Sequence, residues 1–244
     1  MIPKIIHYCW FGRNPLPKSA KRCIESWKRF MPDYEIKEWN EDNFDVNIIP
    51  FTKEACSVNK YAYVSDYARL WILYNYGGIY FDTDVEVICS MDDIIAHGPY
   101  MGFEKHETTP ECRIMVNPGL GFAVEKGNAI IKEIMNYYEN HHYILEDGTI
   151  RQIPIVPITT EVLKKHGLQV STTPTELENS ITIYPWEYFC PIEYPMNRLQ
   201  ITSNTHTIHH YTESWMSWKD KLAMRKGALA NTRFGKWLKR LLSK

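Results

Sequence analysis

Apolar positions along this chain follow two periods, and the densest of them organise the rest. From Tyr61 to Tyr76 (YAYVSDYARLWILYNY) nearly every residue is apolar or aromatic, too many for a surface helix, so the segment predicts a buried one. Asp66 and Arg69 interrupt it three residues apart, hence on one helical face. Two charges on such a helix must pair or meet a polar ligand. Gly77-Gly78 predicts the helix end, because a positive φ is cheap only for glycine. Ile79-Tyr80-Phe81 then reads as a short buried strand, and Asp82 and Asp84 follow at i and i+2, on one side of an extended chain.

The flanking patterns supply the frame. Ile2 to Phe11 (IPKIIHYCWF) reads as a central strand ending at Trp10, a residue able to stack on a nucleobase or simply to fill the core. Ser19 is placed to cap a helix whose apolar positions are Ala20, Cys23, Ile24, Trp27 and Phe30. Tyr34 to Trp39 alternates as a second strand. Strand, helix, strand, then the organising unit predicts an α/β fold with a mostly parallel sheet, whose ligands sit beyond the carboxyl ends of strands. Further on, Pro99–Phe103 predicts a strand, His106–Cys112 an exposed loop and Ala129–Tyr138 a helix. Asn117-Pro-Gly-Leu-Gly-Phe places glycines where backbone can approach a ligand, without the spacing of a phosphate loop. Residues 140–160 carry no pattern, and Tyr184–Pro195 reads as an irregular aromatic loop. Thr207 to Trp218 (TIHHYTESWMSW) predicts a short strand that delivers His209 and His210, followed by a turn leading to Ser214 and Trp215.

Charge and composition narrow the field. Hydrophobic residues at 44% and charged ones at 23% suit a globular enzyme, and a net charge of −1 gives no reason to expect nucleic acid. The balance is uneven. Residues 219–244 carry nine Lys or Arg against one acid, net +8, leaving −9 over residues 1–218. Within this tail, Phe234, Trp237, Leu238, Leu241 and Leu242 form one helical stripe among cations. Such a helix suits an anionic membrane surface; the alternative is that the stripe docks on the domain with its charges in water. The six cysteines are scattered with no Cys-x-x-Cys, as expected of reduced thiols in a cytosolic protein. No apolar run approaches a membrane span, and no signal-peptide design opens the chain.

Paired carboxylates at a strand end repel, and a divalent cation held by oxygen ligands is the usual remedy. A histidine delivered nearby by a later strand is a credible further ligand, with His209 and His210 both open. IPKIIHYCWFG, SDYARLWILYNYGGIYFDTDVE and IHHYTESW together resemble glycosyltransferase family 32, the DXD sugar transferases of capsule, lipopolysaccharide and yeast glycan assembly. The resemblance covers residues 1–125 well and 205–218 more thinly. It implies a GT-A fold over residues 1–218, followed by the basic tail at 219–244. It also implies a retaining transferase acting on a UDP- or GDP-sugar donor with Mn²⁺ or Mg²⁺, and a glycan or lipid-linked oligosaccharide as acceptor.

By that resemblance Trp10 stacks on the base, while Asp66 and Arg69 contact donor sugar and ribose. Tyr80 and Asn117 lie by the donor. Asp82 and Asp84 are the DXD pair, His210 (or His209) is the later metal ligand, and Ser214 and Trp215 form the lid on the diphosphate. Family members from eukaryotes carry an N-terminal anchor and this sequence shows none, a departure that leads us to expect a bacterial enzyme in the cytoplasm, peripheral to the inner membrane face. Two other readings compete. FDTDVE also fits the nucleophile pattern of haloacid-dehalogenase phosphatases, though there it lies on the first strand. A non-catalytic nucleotide-sugar-binding module would bind donor without consuming it.

Overall fold

The computed structural model describes residues 1–104, 115–177, 181–193 and 198–212. In order these form β1 (Ile5–Cys9), α1 (Lys18–Phe30), β2 (Glu35–Trp39), α2 (Pro50–Ser57), α3 (Tyr61–Tyr76), β3 (Gly78–Tyr80), β4 (Val85–Val87), α4 (Asp92–Ala96) and β5 (Tyr100–Gly102). Then come β6 (Phe122–Val124), α5 (Ala129–Glu139), α6 (Ile155–Lys165), β7 (Thr175–Leu177), β8 (Ile181–Tyr184), α7 (Trp186–Phe189), β9 (Ile192–Glu193), β10 (Arg198–Leu199) and β11 (Thr207–His209).

A seven-stranded sheet runs in the order β2-β1-β3-β6-β5-β8-β7. The β2-β1-β3 half is parallel, as the strand–helix–strand pattern predicts. Beyond it β6 runs antiparallel to both β3 and β5, and β7 antiparallel to β8, while β5 and β8 are parallel, so the whole sheet is mixed. A separate ribbon pairs β11 antiparallel with β4, setting His209 opposite Val85.

Alternation across β3 divides the core. Tyr80 faces the layer built by α3, α5 and α6, whereas Ile79 and Phe81 face Trp27 of α1 and the buried Val85 and Val87 of β4. Helix α3 is the spine of the first layer: Val64, Ala68, Leu70, Ile72 and Leu73 are wholly buried. Each aliphatic side chain of Val, Leu or Ile size that is removed from water there contributes about 1.5–3 kcal/mol. Gly77 (φ 67°) and Gly78 (φ 104°) end this helix in the left-handed region that the sequence anticipated. A Cβ on Gly78 would meet the Ile5 carbonyl at 2.7 Å, so the parallel contact of β1 with the incoming strand also excludes a side chain.

Four local expectations change. Ser19 lies inside α1; Pro17 in extended geometry precedes the helix, and its carbonyl accepts from Lys21. Residues 140–160 contain the start of α6, and α7 interrupts the stretch read as irregular. The aspartates do not continue an extended strand. Asp82 O accepts from Val85 N at 3.0 Å, so the chain turns between the carboxylates and β4. The loop expected at His106–Cys112 lies outside the described residues. Among the described residues no helix is long and apolar enough to cross a membrane.

Candidate active site

The site lies at the carboxyl end of β3. Helix α3 points Arg69 into it, with its side chain only 6% exposed. The guanidinium Nη2 meets Asp66 Oδ1 at 3.0 Å and Nη1 meets Asp82 at 3.2 Å, while Nε donates to the Ser65 carbonyl. Its charged end also lies 4.8 Å from the centre of the Tyr80 ring. Asp66 spends its other oxygen on the backbone N–H of Ile155 at 3.3 Å, tying α3 to the start of α6. The expectation that two charges on a buried helix must pair therefore holds, with Asp82 as a third member of the group.

Electrostatics follow from this geometry. Desolvation pushes the Asp66 carboxyl up to about 6, and the neighbouring Arg69 pulls against it. Burial works against the Arg69 charge, yet Asp82, Tyr80 and Asp66 outweigh it and hold the guanidinium protonated beyond its ordinary range. Tyr80 is fully buried and donates its hydroxyl to Asp82 Oδ1 at 3.0 Å.

Asp84 has different company. Its Oδ1 lies 3.2 Å from His209 Nε2, and its Oδ2 accepts from both the N–H (2.8 Å) and the hydroxyl (3.0 Å) of Thr212. Burial alone would raise this carboxyl, but His209 and the Thr212 donors hold it far below the usual carboxylate range. His209 is raised in turn: its burial favours the neutral ring, and Asp84 overrides it.

Ligand atoms of Asp82, Asp84 and His209 all lie within 4.8 Å of one another. Of the two histidines left open by the sequence, it is His209 that reaches the aspartates. His210, one residue on, turns outward and meets Glu86 Oε2 at 2.8 Å, because neighbours on a strand face opposite ways. The donor set also fits a cation chemically. Two carboxylates and an imidazole suit Mn²⁺, and the second ring nitrogen, Nδ1 of His209, is buried with no hydrogen-bond partner among the described residues.

The Asn117 turn completes the wall. Asn117 Oδ1 accepts from Gly119 N, and a Cβ on Gly119 would collide with Asp82 Oδ2. The glycine-rich stretch thus approaches a carboxylate at a distance no side chain permits. Trp10 stands half-buried at the end of β1, its indole N–H donated to the Asn14 carbonyl at 2.6 Å. Ser214 and Trp215 lie outside the described residues. Thr212 and Gly119 were not singled out from the sequence. Glycine spacing hinted at the second, and nothing marked the first.

An α/β sheet that gathers paired aspartates at its carboxyl strand ends is the GT-A arrangement of glycosyltransferases. A glycosyltransferase involved in the glycosylation of the major capsid of PBCV-1 shares this fold: TM-score 0.50 and 12% identity, over 86% of this chain and 95% of that one. Residues 17–101 match the family described as "Glycosyltransferase sugar-binding region containing DXD motif". Over that region the chain is similar to these DXD-containing glycosyltransferases, of the family-32 type. Inositol phosphoceramide mannosyltransferase 3 of Schizosaccharomyces pombe is 29% identical over 154 residues, covering 58% of this chain and 40% of its own length. Inositol phosphoceramide mannosyltransferase 1 of the same yeast is 29% identical over 111 residues, 41% of this chain and 33% of its own. The matched regions thus span less than half of these curated relatives.

Proposed function

We propose that this chain is a metal-dependent, retaining glycosyltransferase that moves a sugar from a UDP- or GDP-sugar to a glycan or lipid-linked acceptor. The observation that carries the reading is the convergence of Asp82, Asp84 and His209 beside the buried Arg69. Mn²⁺ or Mg²⁺ held by those three would neutralise the negative charge that grows on the leaving diphosphate.

The protein's own groups do the rest. Arg69, fixed by Asp66 and Asp82, presents a permanent positive charge toward the donor. Asp66 and Arg69 orient sugar and ribose, Trp10 takes the base, and the Tyr80 hydroxyl together with Asn117 borders the donor. Ser214 and Trp215 close on the diphosphate as a lid. No nucleophile is assigned, so we favour front-face attack by the acceptor hydroxyl with the departing phosphate as base. The phosphatase reading fits less well, because Asp82, its required nucleophile, has both oxygens engaged by Arg69 and one also by Tyr80.

Both curated relatives are by name mannosyltransferases of a lipid. That favours a mannosyl donor and a phosphoinositol-bearing lipid as the first pair to try, ahead of capsular or lipopolysaccharide acceptors. The basic tail supplies a means of reaching such an acceptor at a cytoplasmic membrane face. The test is a thermal-shift panel of UDP- and GDP-sugars with Mn²⁺, then turnover of the best binder. A donor at a hundred times its Kd stabilises the fold by about 2.7 kcal/mol. Turnover undiminished in EDTA removes the metal from the reading, and hydrolysis of a simple phosphomonoester without sugar-nucleotide turnover favours the phosphatase.

A further inference from the structure

Three successive contacts from the end of β11 fall on a single residue. His209 Nε2 meets Asp84 Oδ1, His210 N donates to the Asp84 carbonyl at 3.0 Å, and Thr212 donates twice to Asp84 Oδ2. A chain continuing straight from a strand would carry residue 212 away from the residue that 209 touches. What returns it is Tyr211, whose φ of 48° lies in the left-handed region, a sparsely populated one for a bulky side chain.

That conformation costs free energy, so the surroundings must over-determine it. They do so through the side chain. The Tyr211 hydroxyl donates to Glu104 Oε1 at 2.9 Å and lies 2.9 Å from Cys190 Sγ. Its ring packs edge-on against His209, centroids 4.2 Å apart. One aromatic residue therefore buttresses the imidazole and also holds the turn that aims Thr212.

We infer that Tyr211 and Thr212 are positioning residues for the cation: they fix which oxygen of Asp84 and which edge of His209 remain available to it. Thr212 occupies Oδ2, so Asp84 offers the metal Oδ1, the oxygen that faces His209. This rests on the metal reading above. Partners that orient ligands in this way are worth about 10–100-fold in metal affinity.

The experiment is an EPR titration of the full chain with Mn²⁺ alone, following loss of the free-ion signal, with melting temperatures taken in EDTA. Thr212→Val should weaken Mn²⁺ binding about tenfold or more, and Thr212→Ser should restore it, because only the hydroxyl differs in function. Tyr211→Phe, which keeps the ring and loses the hydroxyl, should weaken binding in the same direction. Affinities equal to wild type in Thr212→Val and Tyr211→Phe overturn the inference while leaving the metal site standing. So does a loss in Thr212→Val that Thr212→Ser fails to repair. A wild-type chain that binds no Mn²⁺ sinks the metal reading itself, and this inference with it.

Discussion

Asp82 and Asp84 stand two residues apart and are supported in opposite ways. Asp82 is held from within its own stretch: Arg69 lies thirteen residues back on α3, and Tyr80 two residues back on β3. Asp84 is held by Thr212, 128 residues away, and by His209 on β11. The first support is a buried guanidinium shared between two carboxylates. The second is a neutral hydroxyl, a backbone N–H and an imidazole. One half of the site is therefore a local, charged and rigid construction, and the other is assembled across the whole fold.

Breaking the charged half should have the larger cost. Arg69→Met leaves Asp66 and Asp82 without their buried counter-charge, and removing one partner of such a group destabilises a protein by about 3–5 kcal/mol. The urea midpoint of the metal-free chain should fall accordingly. A variant as stable as wild type would mean that water already compensates those carboxylates.

Acid should strain the same half. His7 is buried beneath the Gly77 turn; its Nδ1 accepts from Trp39 Nε1 at 3.0 Å, so its Nε2–H donates to the Gly77 carbonyl at 3.0 Å. Desolvation lowers its pKa to about 4; the Gly77 bond opposes the shift and the Lys37 charge reinforces it. The folded state thus resists a proton that the unfolded chain accepts at 6.5. This stabilisation is complete above pH 6.5 and is lost as pH falls toward 4, a difference of about 3 kcal/mol. Urea curves at pH 7 and pH 4.5 should separate more for wild type than for His7→Gln. Parallel losses in the two proteins would contradict the assignment.

The smallest effect sharpens the comparison most. Gly119→Ala places a methyl against Asp82 Oδ2 first, and against Asn117 Oδ1 next. It should weaken Mn²⁺ binding about tenfold, measured by EPR, by displacing Asp82. Unchanged affinity would show that Asp82 can retreat without cost, leaving Asp84 and His209 as the principal grip.

The same division explains how much of the molecule could be read in advance. Helix α3, the two glycines and the paired carboxylates are short-range features, and periodicity plus spacing exposes them. The partners of Asp84 are not, because nothing in TIHHYTESW distinguishes Thr212 from an ordinary turn residue, and choosing His209 over His210 needs the strand register. Helix α6 escaped notice for a related reason. It opens on Pro154 and carries Pro157 in its first turn, where proline is tolerated, and its buried face includes Thr159 and Thr160. Thr160 is buried because its hydroxyl satisfies Val116 N and the Val156 carbonyl, contacts invisible to any hydropathy pattern. The antiparallel course of β6 was likewise unreadable, since a three-residue strand shows no direction of its own.

The late ribbon of β11 against β4 has a consequence for biosynthesis. During translation the seven strands of the main sheet leave the ribosome before residue 207, so that layer can begin to pack while its reaction centre is still unfinished. Until residues 209–212 emerge, Asp84 lacks both of its distant neighbours. If the proposed cation binds there, a half-made chain lacks part of its grip until the walls around the site exist.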